Sequence, residues 1–157
     1  MSLSASQPLP WDEIQRIPDP EARYIQMGRY VFAKDMDKGY GALNSIERDI
    51  LHVYLLESEV NNGGFDQYFI NSAGDHAVEA LESLWRIGAP KALALLQQAI
   101  DAFEPALPST DRAARNSQVM SLPEAMQDLW YELDQQFCTS TEPLWQLVLS
   151  YVESRQR

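Results

Sequence analysis

A chain of 157 residues, 45% of them apolar, is long enough to bury one core and fits a single compact domain. Its 23 Asp and Glu against 12 Lys and Arg leave a net charge of −11, which argues against nucleic acid or an anionic membrane as a direct partner and permits a basic protein. The longest apolar run, Ile50–Leu56, is broken by His52 and falls far short of the ~18 residues of a membrane span, and the lone Cys138 cannot close an internal disulfide, a composition suited to the reducing cytoplasm.

Residues 1–18 read as an N-terminal arm. Met1–Pro10 has neither a basic start nor an apolar stretch, so it does not read as a secretory signal. Pro8, Pro10 and Pro18 oppose a regular helix, while Trp11, Ile14 and Ile17 can dock onto the domain that follows over 19–157. Asp19-Pro20-Glu21 supplies an N-cap, a proline at the first helical position and a first-turn acid. Tyr24, Ile25, Gly28, Val31 and Phe32 form the apolar stripe of the helix this opens, which Gly39 and Gly41 end.

Asn44 with Glu47 makes a capping box for the next helix. Ile46, Ile50, Val53, Tyr54 and Val60 lie on one side of it and Leu51 and Leu55 on another, so this helix belongs at the centre of the fold. Asn61-Asn62-Gly63-Gly64 reads as its stop, and Phe65 to Asn71 as a separate short aromatic helix. A further helix runs to Ile87, and Gly88-Ala89-Pro90 is a short joint to an antiparallel neighbour carrying Leu93, Leu96, Ile100 and Phe103. A short helix fits 111–118. Ser121 with Glu124 reads as a capping box for a helix with Leu122, Ala125, Met126, Leu129, Trp130, Leu133 and Phe137 on its apolar side, and a last helix starts near Thr141-Glu142-Pro143. No segment alternates as a strand does, and the expectation is an all-α bundle of about six to eight helices.

The pattern offers no catalytic residues and no cofactor or metal site: the two histidines, His52 and His76, are isolated, and no His-Glu-x-x-His, paired cysteines, phosphate loop or nucleophile elbow is present. Asp49 could orient His52 as a pair on the helix surface, and Asp75 reads as a cap at a helix start. Asn61, Asn62, Gly63, Gly64, Phe65, Gln67, Tyr68, Asn71 and Gly74 crowd amides, glycines and aromatics into one stretch. Read as scaffold, the glycines let the backbone reverse, Asn62, Gln67 and Asn71 bond the exposed backbone groups, and Phe65, Tyr68 and Phe69 anchor the turn. Read as a site, the Asn61–Asn71 region is a pocket for a small polar ligand.

Residues 49–85 hold seven acids and residues 116–154 six, with no Lys or Arg in either stretch. Asp75, Glu79 and Glu82 share one helix face, and Glu124, Asp128 and Glu132 another, at spacings that set neighbouring side chains about 5–6 Å apart. Each triad is an ordinary solvated face or a surface for a basic partner.

The run Val60-Asn61-Asn62-Gly63-Gly64-Phe65-Asp66-Gln67-Tyr68-Phe69-Ile70-Asn71-Ser72-Ala73-Gly74 resembles the core of a bacterial helical family named for an acidic DNA-mimic protein. The likeness extends over residues 20–135. It implies that carboxylates stand in for a phosphate backbone and sequester a DNA-binding protein such as a transcription regulator. The six triad acids would then contact the partner while the motif serves as scaffold. An acidic immunity-type module that neutralises a toxin is the alternative, and a homodimer is left open.

Overall fold

The computed structural model describes residues 7–156, so the first residues of the arm lie outside the described part. Eight α-helices follow in order: α1 (Trp11–Ile14), α2 (Pro20–Lys38), α3 (Ser45–Ile70), α4 (Ala77–Ile87), α5 (Pro90–Asp101), α6 (Arg112–Met120), α7 (Glu124–Cys138) and α8 (Leu144–Arg155). Short 3-10 turns, Tyr40–Ala42 and Ser72–His76, flank α3. No strand occurs among the described residues. The chain is all-α, as its periodicity predicts.

Helix α3 is the axis of the bundle. It packs against α2, α4, α6, α7 and α8. Its buried residues include Ile50, Leu51, Val53, Leu56, Val60, Phe65, Tyr68 and Phe69, which lie on several sides of the helix, as expected of a central element. Toward its C-terminal end the ring of Phe69 stacks on Trp130 at 5.0 Å and meets Phe103 edge-on at 4.9 Å. Trp130 donates its indole N–H to Ala99 O (3.0 Å), so even this large side chain is buried with its polar atom satisfied.

Several local signals work as read. The Asp19 carboxylate accepts from the Ala22 amide, and Asn44 and Glu47 form a reciprocal capping box. Gly88 ends α4 in the left-handed conformation, and Pro90 opens α5. The arm docks: Ile14 is fully buried, and Trp11 and Ile17 pack on the core. Pro10 precedes a single helical turn there, whereas irregular chain was expected.

Three expectations are corrected or sharpened. First, the expected stop at Asn61-Asn62-Gly63-Gly64 falls on Gly64, whose φ of 80° and ψ of −175° lie outside the helical region, and Phe65–Ile70 follows as the short aromatic helix; the two stretches are numbered together as α3, with a kink between them. Second, Ser121 and Glu124 do not form a capping box. Pro123 sits at the N-cap of α7, and the Ser121 hydroxyl turns back to Ser117 O (2.8 Å), closing α6. Proline fixes an extended lead-in one residue before Glu124 and moves the helix start past Ser121. Third, Ile25 is exposed, and Met27 takes its place on the buried stripe of α2.

The Glu142 carboxylate, ahead of α8, accepts from the amides of Lys91 (2.9 Å) and Ala92 (2.8 Å). It caps α5 from across the fold, where the local N-cap residue is Ala89 and has no side chain for the task.

The kink has a specific guard. The Phe65 amide, freed by the break, donates to Asp134 Oδ1 on α7 (2.7 Å), and a Cβ at Gly64 would collide with that carboxylate. Gly64→Ala is therefore expected to destabilise the fold by about 2 kcal/mol or more, since backbone strain and the clash add. Gly41→Ala, where nothing lies within 4 Å, should stay within about 0.5 kcal/mol of the parent. Urea denaturation of the two variants checks the difference.

Candidate functional site

Of the two acidic triads, the α7 one stays free of internal cations among the described residues. Glu124, Asp128 and Glu132 recur every fourth residue on the outer side of α7, away from the buried Trp130, Leu133 and Phe137. All three are exposed, and none forms an ion pair among the described residues.

The α4 triad does not stay free. Asp75 lies in the 3-10 turn and caps nothing; it binds Arg112 at 2.9 Å and Arg115 at 2.6 Å. Partial burial pushes its carboxyl up, but hydrogen bonds from both guanidinium groups outweigh that and hold it below the usual carboxylate range. Glu82 pairs with Arg86 at 3.4 Å, and Glu79 stands 4.0 Å from His76. Only Glu79 and Glu82 keep most of their surface. Sequence proximity concealed the cations, since Arg112 and Arg115 arrive from α6, far along the chain.

Arg115 has no solvent exposure. Its guanidinium donates to Phe69 O (2.5 Å), Asn71 O (2.9 Å), Ser109 O (2.7 Å) and Asp75 Oδ1 (2.6 Å). It thus closes the C-terminal end of α3, where carbonyls lack helical partners and a cation is favoured. Gly74 makes room for it: a Cβ there would come within 2.8 Å of the Arg115 Nε and 2.9 Å of Tyr68 O.

The amide-rich motif forms different bonds from those expected. Asn62 donates to the Gln67 side-chain oxygen (3.2 Å), Gln67 to Glu59 (2.7 Å) and Asn71 to the same Glu59 oxygen (3.0 Å). The amides bond side chains, while the Phe65 N–H at the kink is taken by Asp134. Asn62 and Asn71 are exposed and Gln67 half-buried, while Phe65, Tyr68 and Phe69 are sealed in the core. With Gln67 and Asn71 engaged on Glu59, the region holds no free amide cluster for a ligand. The cavity that Asn61 borders measures about 100 Å³, well below ordinary small-molecule sites of ~300 Å³ and up.

Asp49 and His52 are buried and joined indirectly, not paired on the surface. Ser83 Oγ donates to Asp49 Oδ1 (2.6 Å), and His52 Nδ1 lies 2.8 Å from the same Oγ. With the serine proton committed to Asp49, His52 carries its own proton on Nδ1 and donates it to Ser83, while Nε2 accepts from the Tyr40 hydroxyl at 3.1 Å. Asp49 also accepts from Tyr151 (2.6 Å) and Arg86 (2.6 Å). Burial raises the Asp49 carboxyl, but the bonds from Arg86, Ser83 and Tyr151 prevail and lower it. A histidine that donates to serine cannot take that serine's proton, so the trio lacks the polarity of a hydrolase triad. It ties α3 to α4 and α8.

Arg115 and Asp134 were not singled out from sequence, and Asp49 was read only as a surface partner of His52, although each carried a signal. Arg115 is four residues before Val119, Asp134 lies between Trp130 and Phe137, and Asp49 between Ile46 and Val53. A charge at helical spacing within an apolar stripe demands a buried partner.

An all-α scaffold that turns a strip of unneutralised carboxylates to solvent defines an acidic helical domain. The model of the DMP19-like protein family matches residues 41–155, from the first 3-10 turn through α8, and the chain belongs to that family. No curated protein and no solved structure matches it.

Two outcomes follow from these networks. Burial first and His76 second push His52 down to about 4 from an ordinary 6.5. The unfolded chain therefore takes up a proton that the native state refuses. Stability should be full above pH 6.5 and fall between pH 6.5 and about 4, by up to about 3 kcal/mol. His52→Gln should flatten that stretch of a denaturation-against-pH curve. Arg115→Met, which strands three carbonyls and leaves Asp75 with Arg112 alone, should cost about 3–5 kcal/mol in chemical denaturation.

Proposed function

We propose that this protein is a non-catalytic binder of basic protein, and that α7 presents Glu124, Asp128 and Glu132 in place of a run of DNA phosphates. On this reading it sequesters a DNA-binding protein such as a transcription regulator. The observation that carries it is the α7 strip: three exposed carboxylates on one helix face with no internal cation among the described residues. Like charges three and four residues apart mildly destabilise a helix, so a cationic partner gains by neutralising them. The net charge of −11 steers such a partner in and repels nucleic acid itself. Membership of the family that the DNA-mimic protein names supports the same reading. The contribution of α4 is confined to Glu79 and Glu82, because Asp75 is committed to Arg115.

The test is competition. A basic regulator captured from the native cell should release duplex DNA when the protein is added, and the complex should weaken steeply as salt rises. Reversing Glu124, Asp128 and Glu132 together to lysine should abolish binding with helical content unchanged, since all three lie off the core. Reversal of Asp75 should instead damage the fold. Unchanged affinity and salt slope in the α7 reversal would remove the strip from the site. An immunity-type role would show as tight binding of a basic toxin with no effect on any DNA complex.

A further inference from the structure

Helices α6 and α7 both pack on α3 but scarcely on each other, and between them lies an open groove of about 530 Å³. Val119 and Trp130 form its floor, and Ile70, Met120 and Tyr131 its apolar rim. Met120 is 85% exposed and Tyr131 66%, a large apolar surface to leave in water. The groove also takes in Asp66, Asp134 and Asn116, and no Lys or Arg lines it.

Three polar features there lack a neutralising cation or, in the case of the Asn116 side-chain oxygen, any hydrogen-bond partner. Asp134 is driven upward by burial and by the charge of Asp66, with only the Phe65 amide pulling the other way. Asp66 forms no ion pair among the described residues. The side-chain oxygen of Asn116 is sealed from solvent with no hydrogen-bond partner. A cation with several N–H donors would relieve all three. The apolar rim would suit the aliphatic stem of the same side chain and an apolar neighbour, and Tyr131 offers an aromatic face. Arginine meets these demands together: a planar charged head, five donors, stacking on aromatic rings and a greasy stem.

We propose that the groove between α3, α6 and α7 anchors an arginine flanked by apolar residues on the basic partner. The inference rests on the reading of the chain as a binder of basic protein. The positions of Gln127, Tyr131 and Asp134 put the groove on the side of α7 next to the Glu124–Asp128–Glu132 strip, so one partner covers both. The strip attracts any cationic surface; the groove selects among them by requiring an apolar body behind the charge.

The probes are three capped tripeptides titrated into the intact, isotope-labelled protein and followed by amide chemical shifts: Leu-Arg-Leu, Leu-citrulline-Leu and Gly-Arg-Gly. Citrulline keeps the shape of arginine and removes its charge. Leu-Arg-Leu should shift the resonances of Ile70, Met120 and Tyr131, and the other two should bind at least tenfold more weakly. A Met120→Ala/Tyr131→Ala double variant, whose changed side chains lie mostly in solvent, should lose at least tenfold in affinity for Leu-Arg-Leu with its thermal midpoint unmoved. Equal binding of Gly-Arg-Gly would reduce the site to charge alone. Equal binding of the citrulline peptide would reduce it to grease. Shifts confined to the α7 strip, no binding, or shifts at the groove that follow protein concentration without peptide would each overturn the proposal, the last in favour of a second copy of the chain. DNA release by the intact protein reads the strip, so success there with failure here discards the groove and leaves the binding role standing.

Discussion

A single buried guanidinium organises the C-terminal half of this fold. Arg115 is inserted where α3 ends, and it gathers two α3-terminal carbonyls, the Ser109 carbonyl and the Asp75 carboxylate around one charge. Each of those acceptors would be costly to bury alone, and so would the arginine. Together they fix α6 and the Ser72–His76 turn to the central helix. The aromatic cluster of Phe69, Phe103 and Trp130 then closes around the same helix end. The groove between α6 and α7 lies beside this point, with Ile70 of α3 and Asn116 of α6 in its lining.

The acidic composition divides into two populations once the bonds are traced. Asp19, Glu47 and Asp111 cap their own helices, and Glu142 caps a distant one. Asp49, Asp75 and Asp134 hold buried or half-buried donors from other elements. These carboxylates belong to the architecture, and their charge is largely spent inside it. The outward field comes from the rest, and on α7 it is concentrated in three side chains. Net charge alone therefore overstates what a partner would meet on α4 and understates how localised the field is on α7.

The elements were legible in the sequence because their determinants are local. Asp19 ahead of Pro20, Asn44 with Glu47, and Gly88-Ala89-Pro90 each act within a few residues, and the structure uses each of them as read. Phe65, Tyr68 and Phe69 were recognisable as anchors from their spacing. The long-range bonds were not legible. Asp134 reaches Phe65 across 69 positions, and Arg115 reaches Asp75 across 40. An acid that will neutralise a buried arginine and one that will face water look alike when only neighbours are counted. Asp75 was thus grouped with Glu79 and Glu82 on spacing that the structure respects and on a freedom that it denies.

The bond from the Phe65 amide to Asp134 sets the rotational register between α3 and α7. A slip of one residue along α7 would turn its faces by about 100° and carry the acidic strip toward the interior. With Asp134, Trp130, Leu133 and Phe137 holding the inner face, the outer positions 124, 128 and 132 are free of packing duties. The helix can therefore be treated as an interchangeable cassette: a new set of outer side chains, grafted with those four residues retained, would be displayed in the same orientation on an unchanged frame.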